Sequence, residues 1–207
     1  MMFPGGQGES ETGRLEAFSD GVLAVIITIM ALELKAPVEG TFASLRERFP
    51  ALLIYILSFT FIGIYWNNHH HLLRATERMS AAVMWANLHL LFWLSLLPFV
   101  TSWAARFPLH AVPAACYGLL GLAAALAYWV LVRSIVRANG TDSAVARAIG
   151  SDVKGNASLV LYACGAGLAA LTPVVSYTCY AAVALLWFVP DRRLVRPPAP
   201  GVLPPEG

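Results

Sequence analysis

The sequence predicts an all-α, polytopic membrane protein with six transmembrane helices per chain. Three observations lead there. Of 207 residues, 58% are hydrophobic and only 13% charged, with a mean hydropathy of +0.65, whereas a soluble domain carries about 25% charged residues. Apolar runs of roughly 17–25 residues, long enough to cross a bilayer, recur along the whole chain. The ten-residue alternation of a membrane β-barrel is missing. The net charge of +2 is too small to point to nucleic-acid binding. Cys116, Cys164 and Cys179 all lie in apolar segments and read as packing residues.

The elements follow in order. Residues 1–13 are polar, acidic and glycine-rich, so they read as a disordered N-terminus rather than a cleavable signal peptide. Residues 14–190 form the six-helix membrane domain. Helix one is expected over 15–34, stopped by Pro37. An amphipathic stretch at 41–49 leads to Pro50, a first-turn residue for helix two at 51–73. Arg74, Glu77 and Arg78 make a tight charged loop before helix three at 81–104. Arg106, Pro108 and Pro113 break the chain, and helix four follows at 114–132. The polar segment 133–154 is expected to be a solvent-side loop with some helix. The run from 157 to 189 is too long for one span, and Pro173 divides it into helices at 155–171 and 174–189. Residues 191–207 form a disordered proline-rich tail.

Six spans place both termini on one side. That side then holds Arg14, Arg74, Arg78, Arg133, Arg137, Arg147, Lys154, Arg192, Arg193 and Arg196. The other holds Lys35, Arg46, Arg48 and Arg106. The excess predicts cytoplasmic termini.

Polar residues gather at the cytoplasmic mouth of the first three helices. Helix one opens with Arg14 and Phe18-Ser19-Asp20. A carboxylate at a membrane edge is costly without a partner. Ser19 and Asp20 suit a helix start as ordinary capping residues, and Arg14 is near enough to pair with Asp20 in the same copy or a neighbouring one. Helix two carries Trp66 and His69-His70-His71, and helix three carries Asn87, at the same depth. The simplest arrangement has these groups bonding one another across the three helices. Successive helical residues point roughly 100° apart, so the histidine triplet cannot converge on one metal ion. Asp20 beside His69 or His70 resembles an acid–base pair, but the interhelical network already accounts for both, so no enzyme activity and no cofactor is expected.

Behind this collar, Val25, Ile29 and Leu32 share a face of helix one with Thr28 beside it. In one copy the stripe reads as packing or lipid-facing. Around an axis of several copies it becomes a hydrophobic constriction that gates by dewetting. Thr28, with Ser58 and Thr60 of helix two, then offers oxygens to a cation, and Glu33 lies near the outer mouth.

The run Arg14-x-x-x-Phe18-Ser19-Asp20 resembles the R-x-x-x-F-S-D signature of the lysosomal potassium channel family and its bacterial homologues. The similarity continues through Gly21-Val22-Leu23-Ala24, Ile27-Thr28, Tyr65-Trp66-x-x-His69-His70, Asn87-Leu88 and Leu94-Ser95-Leu96-Leu97-Pro98-Phe99. The resemblance implies a potassium-selective channel of the bacterial plasma membrane, built as a homotetramer of six-helix chains around potassium ions. It implies a pore lined by helix one, with the constriction at Val25 and further lining at Thr28, Ile29 and Leu32. Arg14, Phe18, Ser19, Asp20, Trp66, His69, His70 and Asn87 then hold helices one to three together. Val25 stands where isoleucine is common, which implies a wider neck. No T-V-G-Y-G filter and no arginine-rich voltage sensor occur in the sequence. A secondary transporter is the alternative, but no internal repeat and few mid-membrane charges support it.

Overall fold

The computed structural model describes residues 6–143, 145–146 and 153–188. All regular structure among these residues is helical: α1 (Gly6–Glu33), α2 (Phe42–Arg74), α3 (Ala81–Ser95), α4 (Leu97–Arg106), α5 (Ala111–Asn139), α6 (Val153–Leu168) and α7 (Pro173–Phe188). Among the described residues, four stretches are long and apolar enough to cross a membrane: Glu11–Glu33, Phe42–Arg74, Ala81–Arg106 and Ala111–Asn139. The helix Pro173–Phe188 is apolar but shorter.

Several boundaries differ from expectation, each for a local reason. Residues 6–13, expected to be disordered, continue α1 toward the N-terminus. Thr12 is buried there, and Glu11 sits toward the positive end of the helix dipole. The expected tail at 191–207 lies outside the described residues.

The amphipathic stretch at 41–49 is fused to the membrane helix, so Pro50 falls inside α2 instead of starting it. A side-chain cap forces the earlier start. Thr41 Oγ1 accepts from the Ser44 amide at 3.2 Å, and Ser44 Oγ accepts from the Glu39 amide at 3.3 Å. Pro50 then removes one backbone bond from a 33-residue helix that has many others.

The expected single helix at 81–104 is two, α3 and α4, joined through Leu96. Pro98 in the first turn of α4 supplies no amide to the preceding turn and crowds Leu97. Helix α5 begins earlier than expected because Pro113 falls in its first turn, where free amides are orphaned anyway. It also ends seven residues later than 132, at Asn139, taking the start of the expected 133–154 loop into the helix. Buried Ile135 supplies the packing for that extension. Gly140 closes α5 with φ +96, a backbone geometry that favours glycine. Pro173 divides the last two helices as expected.

The core is built by α3 on α5, α5 on α6 and α6 on α7, with α1 packed on α2, α3 and α4. Close approach explains two glycines: a Cβ on Gly118 or Gly165 would overlap the Tyr180 ring. Tyr180 is itself anchored by a bond from its hydroxyl to Ala114 O at 3.0 Å.

Asn139 ties the end of α5 to the α2–α3 turn. Its Oδ1 accepts from the Glu77 and Arg78 amides at 3.1 and 2.8 Å, and its Nδ2 donates to Arg78 O at 3.2 Å and Ile135 O at 2.9 Å. Asn139→Ala is expected to lower stability by about 1–3 kcal/mol, discounted for the partial exposure of these bonds. Thermal unfolding in detergent measures this, and an unchanged midpoint would show the tie to be idle.

Candidate functional site

Helix α1 lies at the edge of the bundle. One of its faces is pinned to the rest of the chain and the opposite face is open. The pinned face begins with Ser19. Its Oγ donates to Leu15 O at 2.8 Å, the carbonyl four residues back. With that proton engaged, Ser19 Oγ accepts from Asn87 Nδ2 at 3.0 Å. The Asn87 Oδ1 lies 2.6 Å from His69 Nε2, which therefore donates to it. The result is a one-way chain of bonds from α2 through α3 to α1, with all three side chains buried. His69 Nδ1 has no partner among the described residues.

A second set of bonds joins α1 to α2 alone. Trp66 Nε1 donates to Asp20 Oδ1 at 3.0 Å. His70 Nδ1 lies 2.6 Å from Glu16 Oε1. The Trp66 and His70 rings stack with centroids 6.0 Å apart. Glu16 and Asp20 are four residues apart on α1, as are Trp66 and His70 on α2, so each pair presents one face. Two antiparallel helices joined at two such rungs have little freedom to slide or rotate.

The sequence expectation thus finds Ser19, Asp20, Trp66, His69, His70 and Asn87 together. It missed Glu16, although the spacing of four from Asp20 was a readable signal. Arg14 and Phe18 stand outside these bonds. Both are exposed, and no Arg14–Asp20 pair forms among the described residues. The histidine triplet diverges: His69 turns to Asn87, His70 to Glu16, and His71 is exposed.

Pinning sets what the open face shows. Leu23, Ile26 and Met30 are 2%, 3% and 1% exposed, whereas Val25, Ile29 and Leu32 are 55%, 44% and 84% exposed. Thr28 is exposed on the same open face, and its Oγ1 donates to Val25 O at 2.8 Å. That bond consumes the hydroxyl proton, leaving the oxygen lone pairs free to meet a cation.

Ser58 and Thr60 do not join this face, contrary to the sequence expectation. Ser58 is fully buried inside the bundle, accepting from Thr101 Oγ1 at 2.8 Å and lying 2.9 Å from the Tyr117 hydroxyl. Thr60 donates to Ile56 O and lines a groove between α2 and α7. Both hydroxyls satisfy themselves on helix carbonyls or neighbouring hydroxyls. Beyond Ile29, Glu33 accepts from Ser102 Oγ at 2.9 Å at the edge of a cleft of about 540 Å³ that also holds Arg106 and Trp103.

An apolar helical bundle that presents one pinned helix by an open apolar face has the build of a membrane channel subunit, and comparison with known proteins places it in such a family. Residues 14–98 match the family model for the endosomal/lysosomal potassium channel TMEM175. A potassium channel of Chryseobacterium sp. is 46% identical over 182 residues, covering 88% of this chain and 95% of that protein. A potassium channel of Streptomyces collinus is 36% identical over 137 residues, covering 60% of this chain and 66% of that one. The crystal structure of a lysosomal potassium-selective channel TMEM175 homolog from Chamaesiphon minutus superposes with a TM-score of 0.76 at 31% identity, over 89% of this chain and 98% of that chain. The chain belongs to the TMEM175 family, a family of channels and not of enzymes.

Proposed function

We propose that the chain is a potassium-selective cation channel whose pore is lined by α1 of each copy in a homotetramer. The observation that carries this is the division of α1 into a face held by Ser19, Asp20 and Glu16 and an open face bearing Val25, Thr28, Ile29 and Leu32. One helix encloses nothing, so the open face needs other copies around an axis. Val25 then forms the hydrophobic neck, and Thr28 and the outer positions line the path beyond it. A neck of this kind stops ions by dewetting, and the protein needs no T-V-G-Y-G filter to gate.

On this reading α1, α2, the α3–α4 rod, α5, α6 and α7 are the six spans. The arginine and lysine excess at the end where α1 enters puts both termini in the cytoplasm, and the membrane is the bacterial plasma membrane. The permeant ion is potassium, the other partners are lipid and further copies of the chain, and no cofactor takes part. The interhelical collar does not touch the ion. It sets the rotation of α1.

Purified protein in liposomes under a potassium gradient should give rapid flux that does not saturate as a carrier's does. Saturating exchange that requires a counter-substrate would sink the channel reading in favour of a secondary transporter.

A further inference from the structure

The α3–α4 rod turns a ridge of large aromatic side chains outward. Trp85, Phe92 and Phe99 follow one another at intervals of seven residues, and each is more than half exposed. Val83, Leu90, Leu94 and Leu97 make the buried side of the same rod, so the ridge points away from the bundle. Phe99 also borders the cleft that holds Ile29 and Glu33, which puts the ridge beside one edge of the open face of α1. A seven-residue repeat is the spacing at which one helix follows another along its length, and contact with lipid imposes no such spacing.

The other edge of that open face, on the side where Asp20 meets Trp66 of α2, carries the reverse pattern. Ala17, Ala24 and Ala31 lie along one line, again seven apart, and all are exposed. Exposed Gly21 lies beside them, and a Cβ there would meet nothing within 4 Å. Small residues on a membrane helix let a second helix come close. The two lines also match in depth. α1 and the α3–α4 rod run in the same direction, and the Asn87–Ser19 and Ser102–Glu33 bonds set them level at offsets of 68 and 69 residues. At the first of these offsets Ala17, Ala24 and Ala31 stand level with Trp85, Phe92 and Phe99 in turn. Within one chain the two lines lie at opposite edges of the α1 face and do not meet. Rotation about an axis along the membrane normal carries the ridge of one copy to the alanine edge of the next and leaves depth unchanged. Such a contact joins two different surfaces and closes on itself as a ring.

We propose that the α3–α4 ridge of each copy packs into the alanine edge of α1 in the next copy, with Trp85, Phe92 and Phe99 seated over Ala17, Ala24 and Ala31 respectively. The interface rests on the reading that α1 of every copy faces a shared axis. It deepens that reading by naming the two surfaces that hold the ring closed and leave Val25 facing the axis.

The test uses the full chain in detergent, with light scattering after size-exclusion chromatography to read the number of copies. Ala24→Phe fills one seat and should abolish the tetramer. Ala24 is exposed in the single chain, so the protomer keeps its fold. Ala24→Phe with Phe92→Ala moves the large side chain to the other helix and should restore the tetramer, which a folding defect would not allow. Cysteine pairs read the register. Ala24→Cys with Phe92→Cys should give a ladder of disulfide-linked chains on oxidation. Ala17→Cys with Phe99→Cys, about 21 Å apart in depth, should give no more than the native chain with its Cys116, Cys164 and Cys179. A tetramer that survives Ala24→Phe, a pair that fails to restore it, or a ladder from the mismatched cysteines as strong as from the matched ones would overturn the interface. A monomeric native chain would overturn the interface and the shared pore together. Potassium flux in liposomes keeps the two readings apart. Rapid, unsaturated flux with no ladder from the matched pair removes the interface alone, whereas saturating exchange with the ladder intact removes only the channel reading.

Discussion

Val25→Asn is expected to raise potassium flux through reconstituted protein at least tenfold and to lower its preference for potassium over sodium. The physical step is at the neck. In the proposed pore, valine lines the narrowest point with methyl groups that water leaves, and an ion crossing such a dry ring gives up its hydration. An amide there holds water, and lowering the barrier by about 1.4 kcal/mol gives the tenfold change. Val25→Phe fills the same space with an apolar ring and should suppress flux. Val25→Ile adds one methylene to the side chain and should lower flux less. The side chain is 55% exposed in the single chain, so none of these changes disturbs the protomer core. Leu23→Ile, at a buried position one turn from Asp20, serves as the contrast and should leave ion preference alone. Liposome flux with potassium and sodium gradients gives all of these values. If substitutions at Val25, Thr28 and Ile29 all left flux and preference unchanged, α1 would not line the pore.

The fold was legible in the sequence wherever burial in lipid leaves the chain no alternative. Long apolar runs have to be helices because a bilayer offers their backbone no other hydrogen-bonding partner. Helix ends were less legible, since they depend on single side chains. The Thr41 cap extends α2 past a proline that looked like its start, and the bonds of Asn139 secure α5 beyond the point where charge suggested a loop. The break between α3 and α4 needed Pro98 to outweigh the surrounding apolar run.

The collar was legible because its members are expensive to bury unpaired. Ser19, His69 and Asn87 stood out against an apolar background at one depth, and the structure joins them. Glu16 stayed hidden among other residues at a helix start, where a carboxylate is commonplace. Ser58 failed for the opposite reason. A hydroxyl in a membrane helix is satisfied by the carbonyl four residues back, as Ser58 is by Ile54 O at 2.9 Å, so its direction costs little and spacing does not reveal it. Phe18 belongs to the recognisable motif but sits half-exposed, because a motif marks where residues recur and not which way each one points.

Asn87→Leu is expected to destabilise the chain by about 2–4 kcal/mol, and the folded channel that remains should keep its potassium preference. The asparagine is the only link between the His69 ring and Ser19 in the bond chain, donating to one and accepting from the other. Leucine removes both bonds and leaves the His69 Nε2–H buried without an acceptor. A stranded buried donor costs about 1–3 kcal/mol beyond the bond lost. Replacing both partners by apolar groups avoids that penalty, so His69→Leu combined with Asn87→Leu should be less destabilised than the two single changes added together. Thermal unfolding of the four proteins in detergent completes the cycle. A strictly additive pair would mean that His69 and Asn87 do not act as one unit. The ion measurements carry a second outcome. If Asn87→Leu shifted the potassium-to-sodium ratio as far as a change at Val25, the collar would be handling the ion itself and not merely setting the rotation of α1. With Asn87 buried and Val25 open on the other face of the helix that both contact or occupy, the geometry fits the separate roles proposed for them, the polar bonds holding α1 in place and the apolar stripe lining the pore.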